Sequence, residues 1–197
     1  MLDQNFVILG TLVGSVGSIG YIIDTIKGNA KPNRVSFLLW AIAPMIAFAA
    51  ELKQGVGITA LMTFSQGFFP ILILLASFVN KRAVWKITKF DVICGCLSVL
   101  GLVLWLITKV GNLAIIFSIL ADGLAAIPTI VKSYKDPDSE VAWPWLATGI
   151  GSFITLLTVK EWTFANYGFI LYIMLMCVTI FSLVQFRIGK KIKSNES

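Results

Sequence analysis

The chain has 197 residues, of which 57% are hydrophobic and only 13% charged, with a formal net charge of +6. A water-soluble domain carries about 25% charged residues, so this composition, with a mean hydropathy of +0.88, excludes an ordinary soluble globule and points to a bilayer. The Lys and Arg residues fall between apolar runs and at the C-terminus, which reads as membrane topology rather than nucleic-acid binding.

Seven apolar runs follow, each near the length that a bilayer crossing needs: Phe6–Ile26, Val35–Ala50, Gly57–Val79, Val92–Thr108, Leu113–Val131, Ala142–Val159 and Phe164–Phe186. Barrel-type alternation is absent, so the expectation is all-α. The N-terminus MLDQN lacks a basic n-region, and no signal peptide is expected. In the first run Gly10, Gly14, Gly17 and Gly20 recur at helical spacing, which lets helices approach closely in lipid. Asp24 and Lys27 stand at i, i+3 and are expected to pair at the membrane edge. The loop GNAKPN then breaks the helix. The second run opens on Ser36 and Trp40, holds Pro44 and closes on Glu51. It and the sixth are short for a hydrocarbon core of about 30 Å.

The third run holds Gln66 and Pro70, and the basic loop NKRAVWKITKF leads to Asp91, a candidate cap for the fourth. Asp122 sits near the centre of the fifth run. Trp143, Pro144 and Trp145 open the sixth, where Gly149 and Gly151 give small faces, and the seventh carries Asn166, Tyr167 and Tyr172. The tail RIGKKIKSNES is expected to fray. Cys94, Cys96 and Cys177 lie inside apolar runs and read as small buried hydrophobes.

Two stretches, Tyr21–Trp40 and Ala126–Trp145, match at a fixed shift of 105 positions that aligns Ile22 with Ile127, Lys27 with Lys132, Pro32 with Pro137 and Trp40 with Trp145. This reads as an internal duplication. Thirteen of the 16 basic residues fall on one side: Lys27, Lys31 and Arg34; Lys81, Arg82, Lys86 and Lys89; Lys132 and Lys135; and Arg187, Lys190, Lys191 and Lys193. Only Lys53, Lys109 and Lys160 fall on the other. The positive-inside rule then puts the N-terminus outside and the C-terminus in the cytoplasm. A triplet of helices reverses direction from start to end, so one extra helix is needed to keep two triplets parallel. The expected organisation is a first triple-helix repeat over 1–80, a basic loop and linker helix over 81–109, and a second repeat with its tail over 110–197. Parallel repeats place a solute site near mid-membrane at their interface.

This 3+1+3 arrangement, with a proline loop after the first helix of each triplet, resembles the PQ-loop superfamily of seven-helix membrane proteins, which includes the SWEET-like sugar transporters. Pro128-Thr129 stands where the second Pro-Gln pair falls, and the first repeat has Ile23-Asp24 there instead. The resemblance implies a transporter in which Pro44, Pro128 and Pro144 let helices bend between open states, and a sugar-like solute.

The candidate site residues follow from position. A charge at mid-membrane costs about 2.5–3.5 kcal/mol on the insertion scale and normally faces a cavity or a partner. Asp122 is therefore a candidate for solute binding or proton coupling, against a purely structural hydrogen bond. Gln66, Tyr172 and Asn166 are further solute-binding candidates, with Asn166 nearer the outer surface. Trp40 and Trp145, with Asp24 and the three prolines, are gate or hinge candidates; an interfacial aromatic belt is the plainer reading of the two tryptophans. The chain has no His, and no Ser/Lys or Cys/His constellation and no paired mid-run carboxylates, so no enzyme activity, metal or cofactor is expected. A retinal protein needs a buried Lys for its Schiff base, and the seventh run has none. The expectation is a transporter of a small polar solute in the inner (cytoplasmic) membrane. Its partners would be the lipid bilayer and that solute, with no nucleic acid, and homo-oligomerisation is left open. The alternative is a non-transporting receptor or partner-binding protein on the same scaffold.

Overall fold

A computed structural model describes residues 2–80, 85–108 and 111–190. Among them the chain forms seven α-helices and one 3-10 turn, with no strand: α1 (Phe6–Lys27), α2 (Arg34–Lys53), α3 (Ala60–Ala76), α4 (Lys89–Thr108), α5 (Gly111–Lys135), the turn Pro137–Ser139, α6 (Ala142–Leu156) and α7 (Phe164–Gln185). Of these, α1, α2, α5 and α7 are long and apolar enough to cross a membrane, whereas α3 is an apolar helix of 17 residues. Large apolar side chains stand exposed along whole helix faces, as Ile8, Leu12, Val16, Ile19 and Ile23 do on α1. Water would penalise such a face heavily and lipid would not. This is a helical membrane protein.

The glycine stripe of α1 faces α6. A Cβ on Gly10 would meet the Gly151 carbonyl oxygen at 2.6 Å, and one on Gly151 would meet the Gly10 oxygen at 2.3 Å. Backbone meets backbone here, so no side chain can give way. Gly151→Ala is expected to lower stability by about 1–3 kcal/mol, the usual cost of overpacking, read as the midpoint of unfolding in mixed micelles. Gly149→Ala is the control, because its nearest obstacle is the Cys177 Cβ at an ordinary 3.5 Å.

The helix ends carry their own signals. Gly28 closes α1 in the left-handed region at φ 85°, where glycine pays no Cβ penalty. Asn33 caps α2 by accepting from Val35 N and Ser36 N. Arg34 crosses to the end of α3, where its Nε donates to Ser77 Oγ at 3.0 Å and its terminal nitrogen to Ser77 O at 2.6 Å. Asp91 is not the cap of α4. Thr88 holds that place, and Asp91 at the third helical position accepts from Thr88 N at 2.6 Å while its own N–H donates to Thr88 Oγ1 at 3.3 Å. This is a reciprocal capping box.

Other expectations are also revised. Asp24 does not pair with Lys27; its Oδ1 accepts from Asn29 Nδ2 at 3.1 Å, a partner that the turn at Gly28 brings back over the helix end. Cys94 and Cys177 are buried, but Cys96 is exposed on α4. The second helix is not short, since it runs 20 residues to Lys53. The sixth is, at 15 residues.

α3 packs against both α1 and α2, and α7 against both α5 and α6. The two groups meet where α1 lies on α6 and α2 lies on α5, while α4 packs on α5 and touches α2. Ser98 of α4 donates to the Ala121 carbonyl at 2.6 Å. The two proline-containing loops touch, with Lys31 N donating to Ser139 O at 3.2 Å. They therefore share one end of the molecule. At the other end Leu2 N donates to Leu157 O at 2.9 Å.

The chain after α7 is tied down as far as Lys190. Arg187 and Lys190 reach Asp138 at 2.8 Å and 2.5 Å. The Lys190 hydrogen bond, helped by Arg187, holds the Asp138 carboxyl below the usual carboxylate range. A depressed folded-state value means that this contact is fully present above the ordinary carboxylate range and is lost only as pH falls below it. At pH 7 Asp138→Asn is expected to speed amide hydrogen exchange over residues 186–190 and leave the helices unchanged. Residues 191–197, with Lys191 and Lys193, and also Lys81, Arg82 and Lys109, lie outside the described residues.

Candidate functional site

α5 carries Asp122 near its midpoint and α7 carries Tyr172 beside it. The Tyr172 hydroxyl donates to Asp122 Oδ2 at 2.7 Å. From α2, the Trp40 indole N–H donates to the Asp122 carbonyl oxygen at 3.2 Å. Asp122 is 1% exposed, and its Oδ1 has no hydrogen-bond partner among the protein atoms. A buried acceptor left this way is costly.

Asp122 is one wall of a cavity of about 60 Å³, with Ser18, Gln66, Pro144, Thr148 and Cys177 among the others. The space suits a few water molecules. Gln66 makes one long contact, from its Nε2 to Ser65 Oγ at 3.4 Å. Trp145 also lines the cavity, and its buried indole N–H has no protein acceptor. The site thus holds one unused acceptor and one unused donor.

Four rings cover the cavity toward the proline loops. Tyr21 touches Phe37 at 5.4 Å, Phe37 touches Trp40 at 5.0 Å, Trp40 touches Trp145 at 5.8 Å and Trp145 touches Tyr21 at 5.9 Å. The circuit closes on itself. Tyr21 sits in the last turns of α1, Phe37 and Trp40 in the first turns of α2, and Trp145 in the first turn of α6. At 1.5 Å per residue, the layer lies between Asp122 and the loops. Trp40 and Trp145 are 4% and 8% exposed, so the interfacial-belt reading does not hold for them. Trp143, two residues before Trp145, is exposed, at 43%.

A polar network lies beyond the rings. The Tyr21 hydroxyl donates to Glu140 at 2.8 Å, Glu140 forms an ion pair with Lys132, and Lys132 Nζ donates to the Lys31 carbonyl oxygen at 2.7 Å. The two charged side chains are 1% and 0% exposed. The network joins α1 and its loop to α5 and the segment before α6. Sequence reasoning missed it, because Lys132 read as a topology signal and Glu140 as a loop residue.

The remaining candidates lie elsewhere. Asn166 is not at the central cavity; its Nδ2 donates to Thr163 Oγ1 at 2.8 Å, and it lines a separate pocket with Gln54 and Glu161 at the opposite end. Pro44 and Pro128 lie inside α2 and α5 and are buried. Thr129, beside Pro128, donates to Ser36 Oγ at 3.4 Å across the seam between α5 and α2. Asp24 stays at the end of α1, away from the cavity lining. Sequence reasoning also passed over Glu51 as a span-closing residue. It is 1% exposed, accepts from Thr63 Oγ1 at 3.0 Å, and its Oε2 has no protein partner. No group of His, Cys, Asp or Glu that could hold a metal ion occurs among the described residues. The chain matches no family model, no curated protein and no solved structure.

Proposed function

We propose that the chain transports a small polar solute across the inner (cytoplasmic) membrane, by alternating access between α1–α3 and α5–α7 with α4 as a linker. The observation that carries this reading is the central cavity. It lies between the two groups of helices, has Asp122 and Trp145 in its lining, each with a buried polar atom that no protein group meets, and is covered on one side by rings drawn from both groups.

The packing pattern supports two parallel repeats. Exchanging α1 with α5, α2 with α6 and α3 with α7 turns the α1–α6 contact into α5–α2, α1–α3 into α5–α7 and α2–α3 into α6–α7, all of which are present, while α4 packs on α5 and α2. Trp40 and Trp145, the matched pair of the sequence duplication, touch each other, as residues near the axis of such an exchange must. This fits the 3+1+3 organisation that the PQ-loop resemblance implies. The loop end bearing Lys27, Lys31, Lys132 and Lys135 is then cytoplasmic, with the N-terminus outside.

Uptake into proteoliposomes, screened over sugars, amino acids and small amines, tests the reading. Counterflow of at least one class, saturable and lost on Asp122→Ala, is the expected result. No uptake of any class, with a stable complex to another membrane protein instead, would favour a receptor.

A further inference from the structure

We propose that the solute is a small organic cation, an alkylammonium that also carries a hydroxyl or other acceptor oxygen. This rests on the transport reading and goes further by naming the substrate class. Among the described residues the lining holds no Lys or Arg, and Asp122 is its one carboxylate. Lys132, on the loop side of the rings, is already held by Glu140. An anionic solute would meet Asp122 with no compensating charge. A neutral solute would leave a buried carboxylate without a counter-charge. A cation supplies one.

The walls fit the same occupant. Phe37 and Trp40 meet at 81°, Trp40 and Trp145 at 70°, and Trp145 and Tyr21 at 80°. Tyr21 and Phe37 close the circuit at 35°, so the rings make walls set nearly at right angles at three corners and tilted at the fourth, and all four line the cavity. Aromatic boxes of this kind bind alkylammonium groups through the negative ring faces. The remaining unused group is a donor, the Trp145 indole N–H. A pure hydrocarbon cation would leave it unmet, and a hydroxyl oxygen on the solute would accept from it.

The test uses the full chain in detergent, with choline, tetramethylammonium and 3,3-dimethyl-1-butanol, the uncharged isostere of choline in which carbon replaces the ammonium nitrogen. Intrinsic Trp fluorescence reads binding, because the rings of the box include Trp40 and Trp145. Choline is expected to bind roughly tenfold more tightly than its isostere, the scale of one desolvated cation–π contact, and tetramethylammonium to fall between. Asp122→Asn should remove the preference for charge and bring choline and its isostere to similar affinities. The wild-type comparison stands even if that variant folds poorly. Equal affinity for choline and the isostere, or binding of glucose alone, would overturn the cation assignment and leave the transport reading standing. Binding and counterflow of none of the probes and none of the wider screen would sink both.

Discussion

Glu140→Gln is expected to cost about 3–5 kcal/mol, the penalty for leaving one member of a buried ion pair without its partner. Lys132 and Glu140 are 1% and 0% exposed, so water cannot take over the role of the lost charge. The amide would still accept from the Tyr21 hydroxyl, which isolates the ionic loss from the loss of that hydrogen bond. Lys132→Met alone is expected to be equally severe, because Glu140 is then the stranded charge. The double variant Lys132→Met/Glu140→Gln should recover much of the loss, since removing both charges also removes the desolvation cost. The midpoint of unfolding in mixed micelles measures all three. Additive losses in the double variant would mean that the two groups act separately. The same network joins α1 and its loop to α5 and the approach to α6, so the variants should also make the loop end more reactive to water-soluble probes.

Asp122 is expected to give the largest functional effect. Asp122→Asn keeps the shape and can still pair with the Tyr172 hydroxyl, but it carries no charge and cannot ionise. If the carboxylate carries protons during transport, Asn should abolish pH-driven accumulation while exchange down a gradient partly survives. If it binds the solute through its charge, exchange itself should fall by tenfold or more, on the order of one charge-assisted contact. Asp122→Ala should be severe in either case, because Tyr172 then loses its acceptor as well. Proteoliposome counterflow at two external pH values separates these outcomes. Normal transport by both variants, with only a lower unfolding midpoint, would make Asp122 a structural residue.

Much of the helical layout was legible because lipid-facing helices must be apolar over their whole length, and their breaks fall at Gly, Pro and clustered charge. The errors are physical. The sequence reading ended the fifth run at Val131, before the first lysine, yet α5 continues to Lys135 because Glu140 neutralises Lys132 inside the protein. The third run was drawn from Gly57 to Val79, but α3 spans Ala60–Ala76; an apolar stretch need not be helical where Gly57, Ile58 and Thr59 make a turn. Asp122 stood out as a lone charge among apolar neighbours, and Tyr172 was named with it. Their hydrogen bond was not legible, since nothing in a single sequence relates residues 50 positions apart. Glu140 and Tyr21, 119 positions apart, show the same limit. Glu51 was lost because a carboxylate at the end of an apolar run looks like a solvated boundary.

The contact between Trp40 and Trp145 has a practical use. Two indoles at 5.8 Å and 70°, shielded from solvent, are close enough for their electronic transitions to mix. Coupled chromophores of this kind give paired bands of opposite sign in circular dichroism, and the sign follows the handedness of their arrangement. One indole belongs to α2 and the other to α6, so a small rotation between those helices would change the spectrum without any introduced dye. Trp143 and Trp162, both exposed, contribute a background that Trp40→Phe and Trp145→Phe would reveal by subtraction. The chain thus carries its own optical goniometer at the place where its two groups of helices meet.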